Sequence, residues 1–384
     1  GPHPVGMAVA PRCAPDCGPM TLSVDITCRL GAFQLAAQFE APPGVTVLFG
    51  RSGSGKTSVV KSVAGLLRPD AGKILLDDRR LFDRDARVDV PVHQRRLGYV
   101  FQDSRMFPHL TVRENLEYAR RVTKRGQRRA EDIADLLGIA HLLDRRTHGL
   151  SGGEGQRVAI GRALLSEPDM LLMDEPLASL DAPRKAEILP YLETLQRETG
   201  LSILYVTHNM AEVARLASHI VLLEEGCVVR SGPPEVLLTD PDMVRVFGIR
   251  DAGAVLNARV AAQPDDGVSE LEVSGGRLFL PTIDAPVGAE LRVRILAQDV
   301  ILSTARPEGL SALNVLPVQV LAVRRGEGPG VVVQLLAGSD RLLARITRRS
   351  ADAMGITEGG RCYAVMKSVA VSQTDIAVGL QVGD

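Results

Sequence analysis

A glycine-rich run, Gly50-Arg51-Ser52-Gly53-Ser54-Gly55, leads directly into Lys56 and Thr57. That pattern suits a polyphosphate. Its glycines let successive backbone N–H groups turn inward around phosphate oxygens, Lys56 neutralises the β/γ oxygens, and the Thr57 hydroxyl is a ligand for Mg2+. An apolar run, Met170-Leu-Leu-Met173, ends in Asp174-Glu175. As a buried strand it delivers two carboxylates to its carboxyl end, where ligands bind in open α/β sheets. Asp174 is then expected to hold Mg2+ through water, and Glu175 to polarise the water that attacks the γ-phosphate. Either motif alone has a bland reading, a turn before a helix or a solvated strand end. Together they specify a nucleoside triphosphatase.

The elements around these residues have to position them. Val45–Phe49 reads as a buried strand ending at Gly50, and the spacing predicts a helix over Ser58–Leu67, so the glycine run joins strand to helix as the chemistry requires. Two strands are expected within Thr21–Phe39, another at Lys73–Leu76, and helices at Val112–Ala119, Ala130–Leu137 and Pro183–Glu198. Met170–Met173 and Ile203–Val206 are short apolar runs of the kind found in sheets buried on both faces, which predicts a mostly parallel α/β sheet. Leu150-Ser151-Gly152-Gly153-Glu154 precedes a helical stretch at Val158–Leu165 and makes a second helix start suited to phosphate.

With 384 residues, two domains are expected. Hydrophobic residues at 45%, charged residues at 24% and a net charge of -1 fit a globular protein and argue against a nucleic-acid partner. Apolar runs such as Ile203–Val206 and Val331–Val333 fall far short of the roughly 20 residues that cross a membrane as a helix, so a membrane role has to run through a partner. Five scattered cysteines do not form a disulfide framework and suggest a reducing cytoplasm. Residues 1–19 are expected to be a disordered leader or an expression remnant.

After Phe247 helical periodicity gives way to short β-rich segments separated by Gly, Pro and Asp. A weak internal repeat runs through them. Val255–Val260 matches Val315–Val320, Val287–Val293 parallels Ile356–Cys362, and Val300–Ser303 matches Val369–Ser372. Residues 20–240 are therefore expected to form the nucleotide-binding domain, and residues 253–384 a β-barrel domain of two related halves.

The order of these motifs resembles the ATP-binding subunits of ABC transporters, whose Leu-Ser-Gly-Gly signature lies between the phosphate loop and the Asp-Glu strand. The resemblance implies an ABC-type P-loop NTPase fold, a mixed sheet with a helical subdomain, followed by an all-β OB-like barrel. It also implies a head-to-tail dimer in which Ser151, Gly152 and Gly153 of one copy complete the ATP site of the other. Gln102 resembles the loop that reports γ-phosphate and Mg2+ to integral membrane permease subunits, Asp181 the loop that crosses the dimer interface, and His208 the switch histidine. Phe33 is the candidate for stacking on adenine, although Phe33 and Phe39 both also suit a core. Glu154 stands where the family commonly has Gln.

Within the family, Leu97–Asp103, Arg105–His109 and Asp174–Asp181 are most similar to the ATP-binding subunits of bacterial molybdate importers. That likeness implies a peripheral protein on the cytoplasmic face of the inner membrane, using ATP and Mg2+, with an extracytoplasmic substrate-binding protein as an indirect partner. The β-rich tail resembles oxyanion-binding barrels through Ser311, Asn314, Lys367 and Ser368, where Leu313 replaces the usual Arg. Importers of sulfate, ferric iron or sugar are the alternative, with the tail as an oxyanion sensor or a spacer.

Overall fold

The computed structural model describes residues 20–123, 128–326, 328–372 and 375–378; the leader expected over residues 1–19 lies outside them. The chain opens with strands β1 (Leu22–Leu30), β2 (Phe33–Ala41) and β3 (Val45–Phe49), then helix α1 (Lys56–Ala64). There follow β4 (Ala71–Leu76), β5 (Arg79–Asp83), β6 (Val88–Asp89) and β7 (Leu97–Val100). Helices α2 (Val112–Thr123), α3 (Ala130–Leu136) and α4 (Gly152–Leu164) form a block before β8 (Met170–Asp174). After it come α5 (Ala182–Thr199), β9 (Ser202–Thr207), α6 (Met210–Leu216), β10 (His219–Glu224), β11 (Cys227–Gly232), α7 (Pro234–Leu237) and α8 (Val244–Phe247).

The eleven strands lie in one sheet, in the order β6-β5-β4-β1-β2-β11-β10-β3-β9-β8-β7. The expectation of a mostly parallel sheet holds for the run β10-β3-β9-β8-β7 and for the short pairing of β11 with β2; β1 with β2, β1 with β4, β4 with β5, β5 with β6 and β10 with β11 pair antiparallel, so the sheet is mixed. The central strands read as unbroken apolar runs because they face two cores. Val47, Leu171, Ile203 and Tyr205 enter the core shared with the helical block, whereas Leu48, Leu172, Leu204 and Val206 enter the core beneath α1 and the antiparallel strands. In the helical block Val112, Leu116, Ile133, Leu137 and Val158 join the first of these cores. Gly161 lets α4 approach closely, since a Cβ there would lie 2.7 Å from Leu116 Cδ2. Helix α1 begins two residues before its expected start because Gly55 takes a left-handed φ of 101°, and it stops at Gly65, with φ 81°.

The remaining strands are β12 (Gly253–Ala262), β13 (Val268–Val273), β14 (Gly276–Pro281), β15 (Glu290–Leu296), β16 (Ile301–Ser303), β17 (Asn314–Arg325), β18 (Gly330–Ala337) and β19 (Asp340–Thr347). Helix α9 (Arg348–Ala353), β20 (Arg361–Met366) and β21 (Ile376–Val378) complete the described chain. Two five-stranded sheets, β14-β13-β12-β15-β21 and β16-β20-β17-β18-β19, enclose one apolar core. Their orders correspond strand for strand, and each sheet takes its short last strand from the other set.

The correspondence extends to the backbone. A bulge follows Val260 in β12 and Val320 in β17. Val260 N–H donates to the Ala289 carbonyl and its own carbonyl accepts from Gly288, as Val320 does with Gly360 and Gly359. Gly288 thus corresponds to Gly359, a register two residues away from the sequence match of Val287 with Ile356, because paired bulges and turns set the equivalence rather than side-chain likeness.

The β-rich part docks on the end of the first. Arg292 Nη1 donates to the Ala217 carbonyl at 2.7 Å, and Gln334 Nε2 donates to the Thr239 carbonyl at 2.8 Å. No helix among the described residues is long and apolar enough to cross a membrane.

Candidate active site

The loop between β3 and α1 is shaped by its glycines. Gly53 and Gly55 have φ of 82° and 101°, a region that side-chain-bearing residues avoid. A Cβ at Gly50 would lie 2.3 Å from the Leu223 carbonyl oxygen. Lys56 is buried and folds back over the loop, donating from Nζ to the carbonyls of Gly50 and Arg51, each at 2.8 Å. Burial lowers its pKa, while the nearby Glu175 and Asp174 carboxylates oppose that shift. Arg51 and Ser52 are exposed on the turn, and Ser54 is buried.

Two parallel strands bring the acids to this loop. Thr57 Oγ1 donates to Asp174 Oδ1 at 2.9 Å, joining the first turn of α1 to the end of β8. Hydroxyl and carboxylate are hard oxygen donors, so this pair fits Mg2+. Glu175 has a φ of 47° and its N–H donates to the Val206 carbonyl, which pins the residue after β8 to the end of β9. The same strand end carries His208, whose Nδ1 lies 3.4 Å from Glu175 Oε2. His208 is the more exposed of the two.

Ser151 caps α4 in the way the sequence suggests. Its hydroxyl accepts from Glu154 N–H at 3.3 Å while Glu154 Oε2 accepts from Ser151 N–H at 2.7 Å, a reciprocal box. The Ser151 backbone N–H holds the Glu154 carboxyl below its ordinary range. A glutamine would make the same acceptor bond, so the departure at Glu154 leaves Ser151, Gly152 and Gly153 in place. Asp181 caps α5, accepting from Arg184 N–H. Gln102 is exposed in the loop after β7, whose Phe101 carbonyl accepts from Gln156 Nε2 at 3.2 Å. Within this single chain Ser151 and Asp181 make helix caps and no contact with the Lys56–Asp174 cluster. Phe33 is half-buried, with ring atoms 3.3 Å from a Cβ built at Gly55 and 3.2 Å from one at Gly226, so it supports the loop from beside it.

Three contributors escape the motif reading. Gly226, in the turn between β10 and β11, donates its N–H to the Ser54 carbonyl and so fixes the far side of the loop. Glu212 on α6 is buried and accepts from Tyr205 OH at 3.0 Å, Thr207 Oγ1 at 2.7 Å and Lys185 Nζ at 3.1 Å. That network ties α5 to the strand end bearing His208. Tyr99, on β7, donates its O–H to Asp174 Oδ2 at 3.1 Å. Burial, and then the Asp174 charge, push the Tyr99 phenol up, so it stays a donor. Tyr99 lies within Leu97–Asp103, but only the register of β7 on β8 makes it a neighbour of Asp174.

The four tail residues fare differently. Pairing of Asn314 with Met366 brings Ser311, Lys367 and Ser368 to one end of a sheet. Asn314 itself departs from the expected anion donor. It is 1% exposed, its Oδ1 accepts from Phe279 N–H at 2.6 Å, and its Nδ2 donates to the Phe279 carbonyl at 3.1 Å. Each polar atom makes a hydrogen bond to the backbone of β14. Ser311 and Lys367 are exposed, and the half-buried Ser368 has an Oγ without a hydrogen-bond partner.

Comparison with known proteins places this architecture. A family model described as ABC transporter matches residues 37–178, and a TOBE domain model matches residues 310–373. The molybdenum import ATP-binding protein ModC of Mesorhizobium japonicum is 48% identical over 364 residues, covering 94% of this chain and 98% of that protein. ModC of Rhodospirillum rubrum is 47% identical over 363 residues, covering 92% and 98%. Among solved structures, cbiO1 from Clostridium perfringens, part of the ABC transporter complex cbiONQ, is 26% identical with a TM-score of 0.51, covering 59% of this chain and 94% of that one. The chain therefore belongs to the ABC-transporter ATP-binding proteins, in the group of the molybdenum import proteins ModC.

Proposed function

We propose that this chain is the ATP-hydrolysing subunit that powers molybdate or tungstate import through a separate membrane permease. The observation that carries the reading is that Lys56, folded over the glycine loop, Thr57 bonded to Asp174, and His208 3.4 Å from Glu175 meet at the ends of adjacent strands, in a chain 48% identical to a molybdenum importer subunit. In this reading the loop glycines and Lys56 bind the triphosphate, and Phe33 lies on the adenine side. Thr57 and Asp174 hold Mg2+, with Gln102 approaching from its loop. Bound there, Mg2+ neutralises charge on the β- and γ-phosphate oxygens. Glu175 takes the proton of the attacking water, and His208, beside it, orients the γ-phosphate. Ser151, Gly152, Gly153 and Asp181 serve the site of a second copy in a head-to-tail dimer, which explains their distance from the acids within one chain. Residues 20–240 act as the motor, and residues 253–384 as a unit of two related halves. The protein works at the cytoplasmic face of the inner membrane, fed indirectly by an extracytoplasmic substrate-binding protein.

Uptake measurements test the cargo. Cells lacking this chain should lose molybdate uptake and regain it with the wild type but not with Glu175→Gln. Intact molybdate uptake with loss of sulfate, iron or sugar transport would overturn the cargo. A second reading, the tail as an oxyanion sensor, is favoured by the unpaired Ser368 Oγ at the sheet end that also carries Ser311 and Lys367. Asn314, buried and bonded to the backbone of β14, is left out of that reading. Titration of the full chain with molybdate, tungstate and sulfate decides it, since absence of binding heat would remove the sensor.

A further inference from the structure

Besides Thr57, Tyr99 is the one side chain hydrogen-bonded to the Asp174 carboxylate among the described residues, and the sequence gives it no role. The register explains how it gets there. On the parallel pair β7–β8, Tyr99 lies opposite Leu172, and Asp174 is two residues further along β8 on the same face, within reach of a long aromatic side chain. The ring is fixed by its neighbours. Its centroid is 4.2 Å from that of Phe101, and the Arg105 guanidinium lies 3.9 Å over the Phe101 ring. The phenolic O–H is therefore delivered to Asp174 Oδ2, while Thr57 occupies Oδ1.

We propose that Tyr99 is a positioning residue for the Asp174 carboxylate: its O–H holds Oδ2 and so keeps Oδ1 turned toward Thr57 for metal binding. The proposal rests on the reading of Asp174 and Thr57 as the Mg2+ pair. Without the phenol, the Asp174 side chain keeps one anchor, Thr57 Oγ1, and that anchor is itself a prospective metal ligand. Among the described residues, Tyr99 thus supplies the only hydrogen bond to the Asp174 carboxylate that can persist unchanged when Thr57 turns to the metal. A hydrogen bond to a charged group contributes enough for loss of this one to weaken metal capture by about tenfold. The triphosphate-binding loop, which Tyr99 does not touch, should be unaffected.

The test is ATP binding to the full-length protein, followed by calorimetry at a series of Mg2+ concentrations and again in EDTA. Wild type, Tyr99→Phe and Asp174→Asn are compared. Tyr99→Phe keeps the ring against Phe101, and its thermal midpoint reports whether the fold is intact. The expected result is a rise of about tenfold in the Mg2+ concentration giving half of the Mg2+-dependent gain in ATP affinity, with ATP affinity in EDTA unchanged. ATPase turnover measured against Mg2+ concentration should show a half-saturating Mg2+ raised by a similar factor, a larger change than any in kcat. If Tyr99→Phe unfolds at a lower temperature, Tyr99→His, which restores an N–H donor, should recover part of the Mg2+ response.

A Tyr99→Phe response equal to wild type, with Asp174→Asn strongly shifted, overturns the proposal and leaves the Mg2+ pair standing. Equal responses from all three proteins overturn the Mg2+ pair itself. Tyr99→His behaving like Tyr99→Phe, with both destabilised, also overturns the proposal by making the role one of packing.

Discussion

The strand ends around Asp174 and the sheet end around Asn314 hold similar kinds of residue to opposite effect. At the first, Lys56, Thr57, Asp174, Glu175 and His208 come from α1 and from the ends of β8 and β9, with Lys56 folded over the loop, Thr57 turned to Asp174 and His208 to Glu175. At the second, Ser311, Asn314, Lys367 and Ser368 reach one edge, but the most promising donor is committed to the backbone of β14. The difference is in what each sequence pattern constrains. A phosphate loop fixes main-chain geometry through glycine, so its side chains arrive already aimed. A short polar motif in a β-strand fixes only residue types, and a buried amide takes whichever backbone partners lie nearest.

The largest effect that could break the contrast is on catalysis. Glu175→Gln should lower ATP turnover by about 10²- to 10⁴-fold without loss of ATP binding, the range for removing a general base. Lys56→Ala should abolish nucleotide-dependent turnover. Turnover of Glu175→Gln near wild type in steady-state assays would mean that the convergence does not mark the reacting centre.

Glu212 sharpens the same side of the comparison. Glu212→Ala leaves Lys185, Tyr205 and Thr207 without their shared acceptor and should cost about 3 kcal/mol in urea unfolding, as for other broken buried ion pairs. In the fraction that remains folded, turnover should fall as the strand end carrying His208 loosens. A stability change under 1 kcal/mol would show that the network is not needed to hold α5 against β9.

At the other end, Asn314→Ala should destabilise the protein by about 1–3 kcal/mol, since the Phe279 N–H and carbonyl lose their partners. Turnover per folded molecule should not change. A variant as stable as wild type but deficient in molybdate binding would reverse the contrast and make Asn314 a ligand.

Much of the catalytic half was legible in the sequence because its motifs coincide with strand and helix boundaries: Val45–Phe49 and Met170–Met173 read as buried strands and are so. What was not legible depended on partners distant in the chain. Ser151-Gly-Gly-Glu154 and Asn209-Met-Ala-Glu212 show the same cap-and-glutamate spacing. Glu154 turns back to its cap, whereas Glu212 turns inward to Tyr205, Thr207 and Lys185, because α6 is packed on β9 and α5 where a buried hydroxyl pair and an ammonium need an acceptor. Tyr99 sat in the recognised stretch Leu97–Asp103, but its contact with Asp174 followed only from laying β7 on β8. In the tail, Val255 and Val315 sat in matching strands, but bulges and glycine turns, invisible in side-chain similarity, moved the later equivalences by two residues.

The smallest expected effect concerns Glu154, the position where the family commonly has Gln. Because an amide oxygen can accept from Ser151 N–H as the carboxylate does, Glu154→Gln should keep the cap, with stability within about 0.5 kcal/mol of wild type and turnover unchanged. The sign of the residual difference follows from the depressed Glu154 pKa. A carboxylate more acidic in the folded than in the unfolded chain adds stability above the ordinary glutamate pKa and loses it as pH falls through the lower folded value. Wild type should therefore be marginally the more stable near neutrality, and the two should converge in acid, as thermal midpoints across that pH range would show. A constant gap at all pH values would place the effect outside this carboxyl group. A large loss of turnover with an intact fold would mean that the charge itself, and not the cap geometry, is what the signature helix requires.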